Sequence, residues 1–272
     1  MANMGIISSS ILDKIEAYID GTIDTLLMKY DRKIVTDVLL KEALMSPKDG
    51  NYKPFHEALI PGELFRFQAF FRSFSTTLGQ GIFEFISREI PKGNEKWVVV
   101  KKGIFPVTSS KNINEIISDH IDYLEKSKLS DDKDYTIPEF PNPNSKDLID
   151  QTVDLYLKDI DNNEYFIEIK SPKPNKGQIK DTKRDLLLLK ASYPNSNIRL
   201  SFTFNPWGED RDKYNWSYPK YFFNLKDPKS VLIGSEFWDF LGGAGTYSEL
   251  LDLFGKIGEK RKDEIRSKLL SN

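Results

Sequence analysis

The stretch VDLYLKDIDNNEYFIEIKSPKPNKGQ, residues 153–178, decides the fold. Val153, Leu155 and Leu157 alternate with other residues, and Tyr165 to Ile169 is aromatic and β-branched. Residues 153–170 therefore read as two strands joined by a turn at Asp161-Asn162-Asn163. Glu168 and Lys170 are two apart in an apolar strand and point to the same face, and Asp154 sits in the strand before them. Carboxylates and an ammonium inside otherwise buried strands are costly unless they pair with each other or hold a metal. Two carboxylates with a backbone carbonyl such as that of Ile169 make an all-oxygen site for Mg²⁺. Such an ion eases proton loss from a water and offsets charge on a phosphate, while a nearby lysine positions the nucleophile. The bland reading of the same residues is a surface hairpin with a Glu168–Lys170 salt bridge.

Hairpin parity sets a condition. A strict two-residue turn at Asn162-Asn163 pairs Asp154 with Ser171 and puts it on the face opposite Glu168. The carboxylates converge when the loop has an odd residue count or a bulge intervenes. A three-residue loop centred on Asn162 pairs Tyr156 with Glu168 and Asp154 with Lys170, which meets the condition.

Outward from this hairpin, Asp181 to Ala191 reads as a helix stopped by Tyr193-Pro194, and Ile198 to Phe204 as another strand. The order strand, strand, helix, strand gives an α/β mixed central sheet flanked by helices, and KWVVV (96–100) adds a strand before it. The N-terminal part is helical. Ile11, Ile15, Tyr18, Ile19, Ile23, Leu26 and Leu27 recur at helical spacing behind a Ser10/Asp13 capping box. Ile34, Val35, Val38, Leu39 and Ala43 continue the pattern to Ser46-Pro47, and Asn51 to Pro61 reads as a loop. Gly62 to Ile90 is helical and broken near Gly79 and Gly81, with Phe65, Phe67, Phe70, Phe71 and Phe74 expected in the core. Glu115 to Glu139 holds eight acids against three lysines, a helix and then an exposed loop. VLIG reads as a short strand, EFWDFLGG as a helix with a glycine stop, and Tyr247 to Leu270 as a closing helix. The expected organisation is one domain over residues 1–272: a helical part at 1–92, an α/β core at 93–245 and a C-terminal helix at 246–272.

Composition narrows the chemistry. A chain of 272 residues with 39% hydrophobic and 29% charged residues is a folded one, not a disordered or collagen-like one. It has no cysteine and 2 histidines, His56 and His120, so thiolate sites are excluded, an all-histidine zinc site nearly so, and a metal held mainly by oxygen is expected. A formal charge of −2 excludes a globally basic nucleic-acid binder but not a locally basic cleft. No segment has the length and apolarity of a signal peptide or a membrane span, so the expected location is the cytoplasm.

Asp154 followed fourteen residues later by Glu168-Ile169-Lys170 resembles the PD-(D/E)XK nuclease superfamily. The wider text resembles type II restriction endonucleases, in particular a TdeIII-like family. It does so in FRSFSTTLGQGIFEFIS (72–87), EIKSPKPNKGQ (168–178), FNPWGEDRDKYNWS (204–217) and GSEFWDFLGGAGTYSELLDLFGKIG (234–258). The resemblance implies a restriction-endonuclease-like sheet with the acidic pair and lysine at one end. It also implies Mg²⁺-dependent hydrolysis of double-stranded DNA to 5′-phosphate ends in a restriction–modification system, a homodimer on a palindromic site, and a GGNCC-type target. On this reading Asp154 and Glu168 ligate metal with the Ile169 carbonyl, Lys170 orients or deprotonates the attacking water, and Glu84 is a supporting helical acid. Val153 stands where the motif has proline, which leaves Asp150 as an alternative acid.

Two stretches are suited to holding DNA. Glu168 to Lys190 carries seven cations against three acids, a local positive field beside the acidic pair. Within it Lys173, Asn175 and Lys176 lie on a loop stiffened by two prolines. The second stretch, NPWGEDRDKYNW (205–216), offers Asn205, Arg211, Lys213 and Tyr214 for contacts to bases or phosphates. Competing readings are a structure-dependent repair or junction nuclease and a non-catalytic DNA-binding module.

Overall fold

The computed structural model describes residues 6–36, 39, 54–59, 62–130, 132–142 and 147–270. The chain forms two compact units: Met1–Ser8 with Glu84–Glu249, and Ser9–Phe83 with Leu250–Asn272. In the second unit, α1 (Ser9–Tyr30) buries Ile11, Ile15, Ile19, Ile23, Leu26, Leu27 and Tyr30, the helical stripe the spacing predicts. Tyr18, expected in that stripe, is exposed. Past Tyr30 the chain turns instead of continuing as a helix through Ile34 and Val35. The buried Arg66 guanidinium donates to the carbonyls of Tyr30 and Val35 at this turn. Val38, Ala43 and Ser46-Pro47 lie outside the described residues.

Within the stretch read as a loop, a short helix α2 spans Pro54–Leu59, followed by α3 (Gly62–Thr77). The expected break at Gly79 and Gly81 is a π-helical segment, Leu78–Ile82, that runs into α4 (Phe83–Lys92). Phe65 is buried, but Phe71 projects into solvent, 70% exposed, so the phenylalanine run is not uniformly core. At about 100° per residue, the rings of Phe65, Phe67, Phe70, Phe71 and Phe74 do not all face one side of a helix.

In the first unit the described residues form a five-stranded sheet in the order β1 (Trp97–Thr108), β2 (Leu148–Asp159), β3 (Glu164–Lys170), β4 (Asn197–Phe202), β5 (Val231–Ile233). β1–β2 and β2–β3 are antiparallel, while β3–β4 and β4–β5 are parallel, so the sheet is mixed as expected. The parallel β3–β4 crossover is α6 (Lys176–Ser192), and α5 (Lys111–Lys126) follows β1. One sheet face carries Tyr156 and Phe166, which share a core with Ile113, Ile117, Ile121 and Leu124 of α5 and Leu186 and Leu189 of α6. On the other face, Trp97, Tyr165 and Phe240 of α8 (Ser235–Gly242) meet edge to face, with centroids 5.1 to 5.5 Å apart. These rings brace the sheet from both sides. A short α7 (Ser217–Phe222) precedes β5, and α9 (Thr246–Leu269) closes the chain.

The β2–β3 register pairs Leu155 with Ile167, Tyr156 with Phe166, Leu157 with Tyr165 and Lys158 with Glu164. The loop therefore has three residues, Ile160 to Asn162, and is centred on Asp161, one position before the expected centre. The odd count holds, while the partners of Tyr156 and Asp154 shift by two. Two features fix this choice. Asn162 takes the left-handed conformation at φ 65°, which asparagine tolerates well. Asp159, buried, accepts the N–H groups of Asp161 (3.0 Å) and Asn163 (2.8 Å), the Asn163 amide (3.0 Å) and the Tyr165 hydroxyl (3.2 Å).

Burial works to raise the Asp159 carboxyl, yet the hydrogen bonds from Asn163, Tyr165 and Asp161 outweigh it and hold the group below the ordinary carboxylate range. A group depressed in the folded state contributes stability above its unfolded value, and that contribution fades as pH falls. Asp159→Asn should therefore lose about 2 kcal/mol at pH 7 in denaturant melts, with the gap from wild type narrowing below about pH 4. A gap independent of pH would contradict the ionised cap.

Candidate active site

Continuing the β2–β3 register by one step places Asp154 directly opposite Glu168, on the face that carries Tyr156 and Phe166. The backbone ladder does not run on through this pair. The Asp154 carboxylate accepts the Ile169 N–H at 3.0 Å, taking over where β2 backbone would have bonded. The Lys170 ammonium reaches back between the two acids, at 2.9 Å from Glu168 Oε2 and 3.4 Å from Asp154 Oδ2. The three side chains that the motif predicted together are thus one hydrogen-bonded group. Glu168 is the deepest, with 8% of its side chain exposed, against 18% for Asp154 and 27% for Lys170.

Burial, and then the facing Asp154 charge, push the Glu168 carboxyl up to about 7 despite Lys170. Burial works to lower the Lys170 ammonium, but the two carboxylates win and raise it. The arrangement is two acids in one small volume with one compensating cation, a combination that structure alone gains little from. Asp150, the alternative acid, is exposed on β2 opposite Pro106 and lies outside the group.

The donor set fits a hard divalent cation: two carboxylates facing each other, with the Ile169 carbonyl on the side of the strand from which its N–H reaches Asp154. No group of three or more His, Cys, Asp or Glu side chains suited to a metal occurs among the described residues. A cation here would therefore take its remaining ligands from water and substrate phosphate, the usual pattern for Mg²⁺. Glu84 is engaged elsewhere: it pairs with Lys102 at 2.6 Å and Arg88 at 3.8 Å. Asp185 on α6 is an acid the motif did not include. Burial and Asp181 raise its carboxyl while Lys170 acts to lower it, which puts Asp185 within electrostatic reach of the site. Its signal in the sequence is its place on the helix that directly follows the motif strand.

The segment after β3 is braced from below. Pro172 and Pro174 are buried, and their carbonyls accept from the Tyr214 hydroxyl at 2.6 Å and the Trp216 indole at 2.7 Å. Lys173 stays exposed between two indoles, with its ammonium 4.9 Å from Trp207 and 6.0 Å from Trp216. Asn175 caps α6 in a reciprocal box with Gln178, so its side chain has a structural partner. Lys176 and Lys180 both pair with Glu125, at 2.6 and 2.7 Å, and their ammonium groups hold its carboxyl down at about 2.

The second stretch departs further from expectation. The Arg211 guanidinium forms an ion pair with Glu236 through two nitrogens and donates to the carbonyls of Val231 (2.7 Å) and Leu225. That bracing ties the 205–216 loop to β5 and α8 and leaves no free edge for reading a base. Tyr214 is buried and stacked on Phe202 with centroids 5.0 Å apart, which turns its ring inward. Asn205 satisfies its own loop, accepting from Trp207 N–H at 3.0 Å and donating to the Asp210 carbonyl at 2.8 Å. Lys213 is exposed beside Asp210, at 2.7 Å. Composition alone did not distinguish a loop that reads DNA from one that holds itself together.

Known proteins resemble most of this chain. A family model described as "Type II restriction endonuclease, HinfI" matches residues 10–258. The type II restriction enzyme HgiCII of Herpetosiphon aurantiacus is 31% identical over 274 residues, spanning 95% of this chain and 97% of that protein. HgiBI of the same organism is 31% identical over 268 residues, with the same shares covered. The type II restriction enzyme MjaII of Methanocaldococcus jannaschii is 29% identical over 208 residues, 70% of this chain and 54% of that protein. The narrower TdeIII-like likeness is not carried by these matches.

Removing Arg211 leaves Glu236 without its partner and frees two carbonyls. Arg211→Ala should therefore lose about 3 kcal/mol of stability in equilibrium unfolding. An unchanged melt with altered sequence preference would restore the base-reading role.

Proposed function

We propose how this chain cuts DNA from what it is: it belongs to the HinfI family of type II restriction endonucleases and is a site-specific DNA endonuclease of a restriction–modification system. Membership of this family implies a divalent metal cofactor, and the ion we infer is Mg²⁺. Asp154, Glu168 and the Ile169 carbonyl are the residues that would hold it, with Glu84, paired with Lys102, as a supporting acid. When bound, Mg²⁺ supplies positive charge for the scissile phosphate and eases proton loss from water.

The rest of the chemistry falls to the chain. Lys170, anchored by both carboxylates, presents its remaining N–H to the attacking water and fixes its line of approach. Water oxygen bonds to phosphorus, the 3′ oxygen leaves and takes a proton, and the ends are a 5′-phosphate and a 3′-hydroxyl. The buried Glu168 and the exposed Lys173 set up opposite fields a few residues apart, one for the cation and one for the DNA backbone. Lys176, Asn205 and Lys213 border the same loops and are candidates for phosphate contacts once DNA displaces their present partners. A homodimer acting on double-stranded DNA fits a palindromic target, because a twofold enzyme presents one such site to each strand. No helix among the described residues is long and apolar enough to cross a membrane. The reading places the enzyme in the cytoplasm, where it meets incoming DNA.

The observation that carries this reading is the convergence of Asp154, Glu168 and Lys170 across one hairpin. On a plasmid of known sequence, wild type with Mg²⁺ should give discrete fragments with 5′-phosphate ends, and EDTA should abolish cutting. Glu168→Ala and Lys170→Ala should each lower the cleavage rate by on the order of 10³-fold or more while duplex binding in Ca²⁺ persists. Cutting by either variant at the wild-type rate would overturn the assignment.

A further inference from the structure

The buried face of α6 carries a charge that the cutting reaction does not use. Lys183 is 4% exposed, and no hydrogen bond or ion pair holds its ammonium among the described residues. Its ammonium stands over the Phe223 ring, 4.9 Å from the centroid. An ammonium on so buried a side chain loses much of its hydration, and an aromatic face replaces only part of it. Burial accordingly pushes Lys183 down to about 8.

Lys183 opens into a cleft of about 400 Å³ that is also lined by Lys133, Lys190, Lys229 and, as its acid, Asp227. The cleft is therefore strongly basic. Lys133 is itself 8% exposed and donates to the Leu124 carbonyl, and Lys190 donates to the Ser196 carbonyl at 2.6 Å. Neither neutralises its charge, because a carbonyl accepts a hydrogen bond without supplying an anion. Each ammonium carries three donors. Asp227 accepts the Lys229 backbone N–H at 2.9 Å through one carboxylate oxygen, and its single negative charge faces four lysines. Tyr135 and Phe223 add aromatic surface to the wall.

The position separates this cleft from the cutting site. Asn197 and Ile198 at the start of β4 and Ser230 before β5 line it. Glu168 and Lys170 instead lie level with Leu200 and Phe202, at the far end of the same parallel strands. DNA held for cleavage approaches the opposite end of the sheet.

We propose that this cleft is a binding site for a phosphate-bearing small molecule of mononucleotide size, with Lys183 as its central anion contact. The lysines take the phosphate, and Tyr135 and Phe223 take an apolar or aromatic body. A bare phosphate would leave much of the volume empty, and the concave basic wall is within the size range of small-molecule pockets.

Isothermal titration of the full chain at fixed ionic strength tests this, with AMP, GMP, inorganic phosphate, adenosine and a short DNA duplex as probes. The expected result is saturable binding of AMP or GMP, weaker binding of inorganic phosphate and none of adenosine. Lys183→Met, which keeps the side chain's shape, should weaken nucleotide binding at least tenfold. Should Lys183→Met fail to fold, Lys190→Met should show a loss in the same direction. Absence of binding to any phosphate probe would overturn the proposal. So would nucleotide affinity unchanged in a folded Lys183→Met or Lys190→Met, or saturation by the duplex alone, which would make the site a DNA contact.

Discussion

One ammonium shared between two carboxylates across a hairpin organises the catalytic end of this protein. Lys170 sits at 2.9 Å from Glu168 and 3.4 Å from Asp154, and the two acids face each other where the β2–β3 backbone ladder gives out. Without that cation, the buried Glu168 and the facing Asp154 would repel in a poorly hydrated space. Without either acid, Lys170 would lose the partner that offsets its own burial. Such a group is a weak source of stability, since apolar residues of the same size would pack there at lower cost. Its chemistry explains it better: the pair of acids is suited to a divalent cation and the lysine to a water beside it.

That arrangement depends on register, and register depends on the far end of the hairpin. Asp159 gathers three N–H groups and a hydroxyl around a loop that turns on Asn162. A slip by one residue would send Asp154 to the opposite face from Glu168. The turn and the reacting end thus lie at opposite ends of the same two strands, joined by the buried cross-strand pairs Leu155–Ile167 and Tyr156–Phe166. Next to the site, the loop of buried prolines is held by Tyr214 and Trp216, and the stretch carrying those residues is itself clamped by Arg211 and Glu236. Rigid support of this kind keeps a reacting group within the narrow tolerances that catalysis requires.

Much of this was legible in the sequence, for identifiable reasons. Period-two alternation marks β2 and β3, and parity makes convergence of the two acids depend on an odd loop count or a bulge. The centre of the loop was not legible, because Asp161-Asn162-Asn163 offers several turn-forming residues, and the choice is made by Asp159, a strand residue that reaches into the turn. Arg211, Tyr214 and Asn205 have the composition of DNA readers, and each already has a partner within the protein. Side-chain type reports what a residue can bond to, while the partner is set by tertiary neighbours such as Glu236 and Pro172. Lys183 on a buried helix face shares that cause: its local polarity misstates the environment that the fold supplies.

The central claim is that Asp154 and Glu168 together form the cation site. Its most direct test is a titration of the DNA-free protein with Mn²⁺, read by the loss of the free-ion signal in electron paramagnetic resonance. Wild type should bind Mn²⁺ saturably, Mg²⁺ should compete, and Asp154→Asn and Glu168→Gln should each abolish the site while leaving the fold intact. Binding of Mn²⁺ by both variants with wild-type affinity would place the metal elsewhere and contradict the account.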